Sequence, residues 1–110
     1  MLTTLYLEWN YIGNRGAAAL AQALRLNGKL TTLDLTSNCI GAKGAIAISK
    51  AIELDRLMAA LYLSHNRIGD EGATGIARAL EFNGVLTELR LCRNSIGKKG
   101  APQRLQRPLK

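Results

Sequence analysis

Apolar residues recur along this chain with two different spacings that alternate. Leu5 and Leu7, two residues apart, form a period-two pattern that predicts a short β-strand with one buried face. Further along, Leu20 and Leu24 lie four residues apart, which predicts an amphipathic helix of about three turns beginning near Gly16. The chain is therefore expected to alternate short strands with short helices.

This strand and helix pattern repeats every 28 residues without gaps. The repeats span 2–29, 30–57, 58–85 and 86–110, the last being incomplete, within a single domain covering 1–110. Four series share the spacing: Asn10, Asn38, Asn66 and Asn94; Ile12, Ile40, Ile68 and Ile96; Gly13, Gly41, Gly69 and Gly97; and Gly16, Gly44, Gly72 and Gly100. Such a unit cannot bury its apolar face alone, so the repeats are expected to stack into an α/β solenoid.

The repeated motif LxxLxLxxNxIGxxGA resembles the ribonuclease-inhibitor-type leucine-rich repeat, which also occurs in NOD-like receptors and Ran GTPase-activating proteins. The resemblance covers residues 2 to about 101. It implies a right-handed horseshoe segment, with a parallel concave β-sheet and convex α-helices, that binds proteins. The uninterrupted 28-residue period is most similar to NOD-like-receptor-type repeats, so a fragment of a larger receptor-like protein is expected.

The two ends depart from the pattern. In the fourth repeat, Arg104 and Pro108 stand where earlier repeats have leucine or isoleucine, so 102–110 is interpreted as a basic tail. Met1 directly precedes the first repeat, which leaves no polar cap for the first strand. We therefore expect the uncapped ends to self-associate.

Composition places the chain among folded domains, with 47% hydrophobic and 21% charged residues. No apolar run has the roughly 18 residues that a membrane-spanning helix needs, so no membrane association is expected. Cys39 and Cys92 are too few for a disulfide framework or a zinc site, which favours a reducing compartment. The expected location is the cytoplasm, with the nucleus as the alternative.

The net charge of +7 raises nucleic acid or an anionic surface as a partner. The excess is concentrated in 86–110, where seven lysines and arginines oppose one glutamate, for a net charge of +6. This basic end contains no interleaved aromatic residues on which bases could stack, so nucleic-acid binding there is disfavoured but remains an alternative.

The concave sheet face is the expected binding surface, because its outward side chains vary without disturbing the core. Aromatic residues and arginines, which dominate protein interfaces, occur among these positions. The predicted protein-binding residues are Tyr6, Glu8, Trp9, Asp34, Thr36, Tyr62, Ser64, His65, Arg90 and Arg93. The identity of the protein partner does not follow from them.

No catalytic, cofactor or metal site is predicted. Ser64 and His65 are adjacent, and neighbouring residues on a strand point to opposite faces, so they do not form a nucleophile and base pair. The glycine pairs match neither the dinucleotide-binding motif GxGxxG nor the phosphate-binding motif GxxxxGK followed by serine or threonine, and they are interpreted as turn residues. A small-GTPase-activating function is a further alternative, disfavoured because the tail is basic. The four asparagines are predicted to be structural, satisfying backbone groups where strand meets loop.

Overall fold

The computed structural model describes residues 2–27 and 29–96, in which strands and helices alternate. The strands are β1 (Thr4–Tyr6), β2 (Thr32–Asp34), β3 (Ala60–Tyr62) and β4 (Glu88–Arg90). The helices are α1 (Gly13–Asn27), α2 (Ala42–Glu53) and α3 (Gly69–Phe82). The predictions for the basic tail 102–110, with Arg104 and Pro108, and for the last glycines of the two series, Gly97 and Gly100, lie outside the described residues.

The four strands form one parallel sheet in the order β1, β2, β3, β4. The register is 28 residues throughout, so that Leu5 pairs with Leu33, Leu61 and Leu89 in turn. Backbone pairing continues beyond the strands, since the Leu7 amide donates to the Asp34 carbonyl at 2.9 Å. The predicted leucine-rich-repeat solenoid, with a parallel sheet and a helical layer, is confirmed.

The core lies between the sheet and the helices. Leu33, Leu35, Leu61 and Leu63 are at most 1% exposed. Alanines at matched helix positions face them, and Ala17, Ala45 and Ala73 are fully buried. Small side chains on this face allow the helices to lie close to the sheet, because no longer side chain holds the two layers apart.

Burial falls off at the first repeat. Leu2 is 58% exposed, whereas its counterparts Leu30, Met58 and Leu86 are buried. Leu5 is only half-buried, although Leu33 one strand away is fully enclosed. The outer leucine row therefore leaves apolar surface in contact with water.

The helices begin earlier than predicted, and this changes the interpretation of the glycines. Gly13 and Gly69 adopt φ values of +65° and +66° and start their helices, in the left-handed region that favours glycine. The second glycine of each pair lies inside the helix. A Cβ on Gly72 would clash with Ile68 Cγ2 and lie 3.3 Å from the Ala42 Cα. The second series is therefore required for space and not for a turn.

The asparagine series lies at the boundary between strand and loop. Asn38, Asn66 and Asn94 are buried. The Asn66 side-chain amide donates to the carbonyls of Leu35 and Leu63, both at 3.0 Å. Its Oδ1 accepts from the backbone amides of two residues in the preceding repeat, Asn38 and Ile40, both at 2.9 Å. Each buried amide therefore joins one repeat to the previous one.

A second polar series, whose role the sequence analysis missed, closes the turn from helix to strand. Asn83 is buried, and its amide donates to the carbonyls of Ile52 and Asp55 at 2.7 and 3.1 Å. The carboxylate of Asp55 occupies the same position one repeat earlier and accepts from the amides of Leu57 and Met58. The 28-residue spacing of Asp55 and Asn83 was a signal that could have identified them.

We predict that Asn66→Ala destabilises the fold by about 3 kcal/mol or more, because it orphans several buried backbone groups at about 1–3 kcal/mol each. Asn10→Ala is the matched control. Asn10 is exposed, and its amide donates only to the nearby carbonyls of Leu7 and Glu8, so the expected loss is below about 1 kcal/mol. Urea unfolding followed by circular dichroism measures both, and equal losses would contradict the structural role.

Candidate functional site

The sheet face brings four of the predicted binding residues into one row. Tyr6 is in register with Asp34, Asp34 with Tyr62, and Tyr62 with Arg90. Side chains in register on adjacent parallel strands lie on the same side of a sheet, about 4.8 Å apart at the backbone. Tyr6 is 64% exposed at one end of the row. We call these four residues the sheet-face row.

One end of the sheet-face row is held together by Glu88. The Tyr62 hydroxyl donates to Glu88 Oε1 at 2.9 Å, and Arg90 Nη2 donates to Glu88 Oε2 at 2.9 Å. The Arg90 guanidinium carbon also lies 4.9 Å from the centroid of the Tyr62 ring, within cation–π range. The Arg90–Glu88 pair is well exposed, so its main effect is to orient the three side chains and not to stabilise the fold.

Glu88 was not among the predicted binding residues. Its partner was not apparent from the sequence, because the hydrogen bond between Glu88 and Tyr62 joins residues 26 positions apart. Glu88 aligns with Ala60 in the neighbouring strand, so its carboxylate reaches Tyr62 diagonally across the pair. The structure therefore adds Glu88 to the site.

The carboxylate of Asp34 is oriented by Thr36, two residues further along the chain. Its Oδ1 accepts from the Thr36 hydroxyl at 2.6 Å and from the Thr36 amide at 3.0 Å. The carboxylate therefore has a defined orientation between Tyr6 and Tyr62. Glu8 is exposed and Ser64 is half-buried one position further along the sheet face.

Three predicted residues, Trp9, His65 and Arg93, lie in turns beyond the strands together with Ser37, which was not predicted. Trp9, Ser37, His65 and Arg93 have φ between +57° and +62°, because each strand ends three residues earlier. Among the described residues, no hydrogen bond joins the side chains of Ser64 and His65. The turns of successive repeats border a groove of about 370 Å³ that we call the turn-edge groove. It is lined by Trp9, Ser37, His65 and Arg93, by Tyr11, Cys39 and Arg67 two positions further along, and by Asn66.

The sequence predicted no metal or cofactor site. Within 2–27 and 29–96, no cluster of three or more histidine, cysteine or acidic residues is placed to hold a metal ion. Cys39 and Cys92 are free and exposed. In the same ranges, none of the helices has the length and apolar character to cross a membrane.

The hydrogen bond to Glu88 raises the pKa of Tyr62 above its ordinary value of 10.0, with burial adding in the same direction. Because the pKa of Tyr62 is raised in the folded state, its hydrogen bond to Glu88 stabilises the fold fully below about pH 10. This contribution is lost as the pH rises through the folded-state pKa. Tyrosinate absorbance at 295 nm, compared between the native chain and Tyr62→Phe, isolates this titration. Glu88→Gln is expected to lower the Tyr62 midpoint, and an unchanged midpoint would contradict the hydrogen bond.

Comparisons with known proteins agree with this architecture. The family model described as "Leucine Rich repeat" matches residues 1–21, 26–49 and 57–77. No curated protein matches the sequence. A solved structure titled "Leiomodin-1 Actin-Binding Site 2 (ABS2)" superposes with a TM-score of 0.80 at 27% sequence identity.

The superposition covers 89% of this chain and 58% of the leiomodin chain, so the present sequence spans little more than half of that chain's length. The leiomodin title names a site for binding a protein, which agrees with the use of such repeats as protein-interaction modules. The matched family model extends over three of the 28-residue repeats and more than half of the chain. The chain belongs to the leucine-rich-repeat family.

Proposed function

We propose that this chain is a non-catalytic protein-recognition module that binds a protein partner through its sheet face. The observation that carries the proposal is the sheet-face row, in which Tyr6, Asp34, Tyr62 and Arg90 are aligned by the register. Tyrosine and arginine are the side chains most often found at the energetic centres of protein interfaces. The other predicted residues extend the same surface toward the turns.

The orientation of the row supports binding by a preformed surface. Ordering a flexible side chain on binding costs about 0.5–1.5 kcal/mol. Tyr62 and Arg90 are already restrained by Glu88, and Asp34 is restrained by Thr36. Most of this cost is therefore met in the free protein, which leaves more of the contact energy for affinity.

The identity of the partner is open, and actin is the first defined protein to test. The leiomodin structure with the same fold is named as an actin-binding site. Its identity with this chain is 27%. Actin binding by this chain is a hypothesis that rests on this likeness.

We assign the repeats to the ribonuclease-inhibitor-like type and the NOD-like-receptor subtype on two grounds. Each full repeat has 28 residues, and each of the first three carries a helix of 12 to 15 residues. We also propose a reducing compartment, the cytoplasm or the nucleus, which is supported by two cysteines that are free and exposed. No observation favours the GTPase-activating alternative.

The recognition surface is tested with the variant Tyr6→Ala, Tyr62→Ala, Arg90→Glu. We expect partner affinity to fall about 30-fold or more, because interface centres of this type contribute at least about 2 kcal/mol. The matched control is Leu26→Ala, Phe82→Ala, Arg78→Glu, which removes comparable exposed groups from the helices. Capture from nuclease-treated lysate across a salt series identifies partners, and co-sedimentation measures actin directly.

Three outcomes are informative. Partners lost with the sheet-face variant and kept with the control support the proposal. Partners kept with both variants would refute it. Recovery that depends on nucleic acid in untreated lysate would indicate nucleic-acid binding instead, which is the alternative raised by the charge distribution.

Self-association through the first repeat stays a prediction. Leu2 is 58% exposed, and Leu5 and Leu7 are half-buried in a row whose inner members are enclosed. Exposed apolar rows at the end of a solenoid are covered by capping repeats or by another molecule. We expect the sedimentation coefficient to rise with concentration, and Leu2→Lys to reduce the rise. A monomer at high concentration would contradict this.

A further inference from the structure

The turn-edge groove combines aromatic and cationic side chains that are far apart in the sequence. Its lining residues are Trp9, Tyr11, Ser37, Cys39, His65, Asn66, Arg67 and Arg93. They come from all four repeats, because successive turns stack along the sheet edge. No carboxylate is among them, whereas the adjacent sheet face carries Glu8, Asp34 and Glu88. The groove and the sheet face therefore differ in charge.

The aromatic side chains lie at one end of the groove and are open to solvent. Trp9 is 76% exposed and Tyr11 is 86% exposed. Both rings line the same groove, so a ligand that covers them would remove a large apolar area from water. Both follow the first strand in a turn with positive φ, so their backbone is restricted.

The cationic side chains continue the same surface toward the fourth repeat. Neither Arg67 nor Arg93 has an ion pair or a side-chain hydrogen bond within the part of the chain that the structure describes. The Trp9 and Arg93 turns are three strand spacings apart, about 14 Å at the spacing of a parallel sheet. The groove therefore has two solvent-exposed rings at one end, followed toward the fourth repeat by two guanidinium groups without a partner among the described residues.

The backbone of these turns is held in place before any ligand binds. The Trp9 amide donates to the Thr36 carbonyl at 3.1 Å, and the His65 amide donates to the Cys92 carbonyl at 2.8 Å. Asn66, which lines the groove, is fixed by its buried hydrogen bonds. Ser37 also belongs to the lining, and its Oγ is shielded from solvent without a hydrogen-bond partner among the described residues.

We propose that the turn-edge groove binds single-stranded nucleic acid, with bases stacking on Trp9 and Tyr11 and phosphates contacting Arg67 and Arg93. Flat rings combined with a positively charged groove are the two elements that sequence-tolerant single-strand binding requires. The sequence disfavoured nucleic acid because the basic end has no aromatic residues. In the folded chain, Trp9 and Tyr11 of the first repeat line the same groove as Arg93 of the basic end. The groove shares Trp9, His65 and Arg93 with the predicted protein-binding residues but contains none of the sheet-face row. The variants that test the two proposals share no residue, so each proposal can fail alone.

The test uses the full chain and the single-stranded probe dT12. Trp9 is the only tryptophan, so quenching of its emission reports on this groove alone. Anisotropy of fluorescein-labelled dT12 reports binding anywhere on the protein. We expect both signals to saturate together, and Tyr11→Ser to weaken binding about tenfold, because each stacked base contributes about 1–3 kcal/mol. Ser95 has nearly the same φ in the equivalent position, so serine fits the backbone there.

The charge contribution is tested with Arg67→Ser, Arg93→Ser. Removing two phosphate contacts is expected to reduce the slope of log K against log salt by about 1.4 for a single strand. The control Arg25→Ser, Arg78→Ser lowers the net charge equally from exposed helix positions and should leave the slope unchanged. Circular dichroism confirms that all variants are folded.

Several results would overturn the proposal. These are dT12 binding without Trp9 quenching, equal loss of affinity in both arginine variants, or no dT12 binding at 50 mM salt. Equal quenching by a twelve-residue polyglutamate would also overturn it, and would indicate an acidic protein segment as the occupant. Loss of dT12 binding through the groove variants alone would support it, whatever the sheet-face variants do to protein partners.

Discussion

The buried side-chain amide that follows each of the strands β2, β3 and β4 is the interaction on which the rest of this structure depends. Each chain segment that leaves the sheet must turn over the core, where its backbone groups have no access to water. Asn66 supplies both donors and an acceptor to these groups, and it spans two repeats in doing so. Without this pairing, the turns would carry unsatisfied polar groups at about 1–3 kcal/mol each.

The same amide determines where the candidate binding surfaces lie. Because the turn is held from beneath, the residues beside each asparagine are directed outward and are free to differ. Trp9, Ser37, His65 and Arg93 share one backbone conformation although their chemistry differs completely. A constant interior thus supports a variable exterior, and both the sheet-face row and the turn-edge groove are consequences of that arrangement.

The two surfaces are adjacent and of opposite character. The sheet face orients its arginine through Glu88 and carries several carboxylates, whereas the turn edge leaves Arg67 and Arg93 unpaired among the described residues. A partner that contacts both would need a basic and an acidic region a short distance apart. The polarity across this edge therefore restricts the orientation in which any partner docks, as charge complementarity does at other interfaces.

The 28-residue period by itself determined the architecture. Alternation at Leu5 and Leu7, helical spacing at Leu20 and Leu24, and the asparagine series each follow from local geometry, so they were predictable. The helix starts were placed too late, because both glycines of each pair were interpreted as turn residues. Gly13 starts its helix at positive φ, whereas Gly72 lies inside a helix at a close contact.

Only the tertiary structure decided which side chains meet. Tyr62 and Glu88 form a hydrogen bond across 26 residues, and Trp9 and Arg93 border one groove although they are three repeats apart. Register and stacking set these neighbours, and both arise from the packing of the whole solenoid. The order of residues in the sequence does not show that Tyr62 meets Glu88 or that Trp9 and Arg93 share a groove.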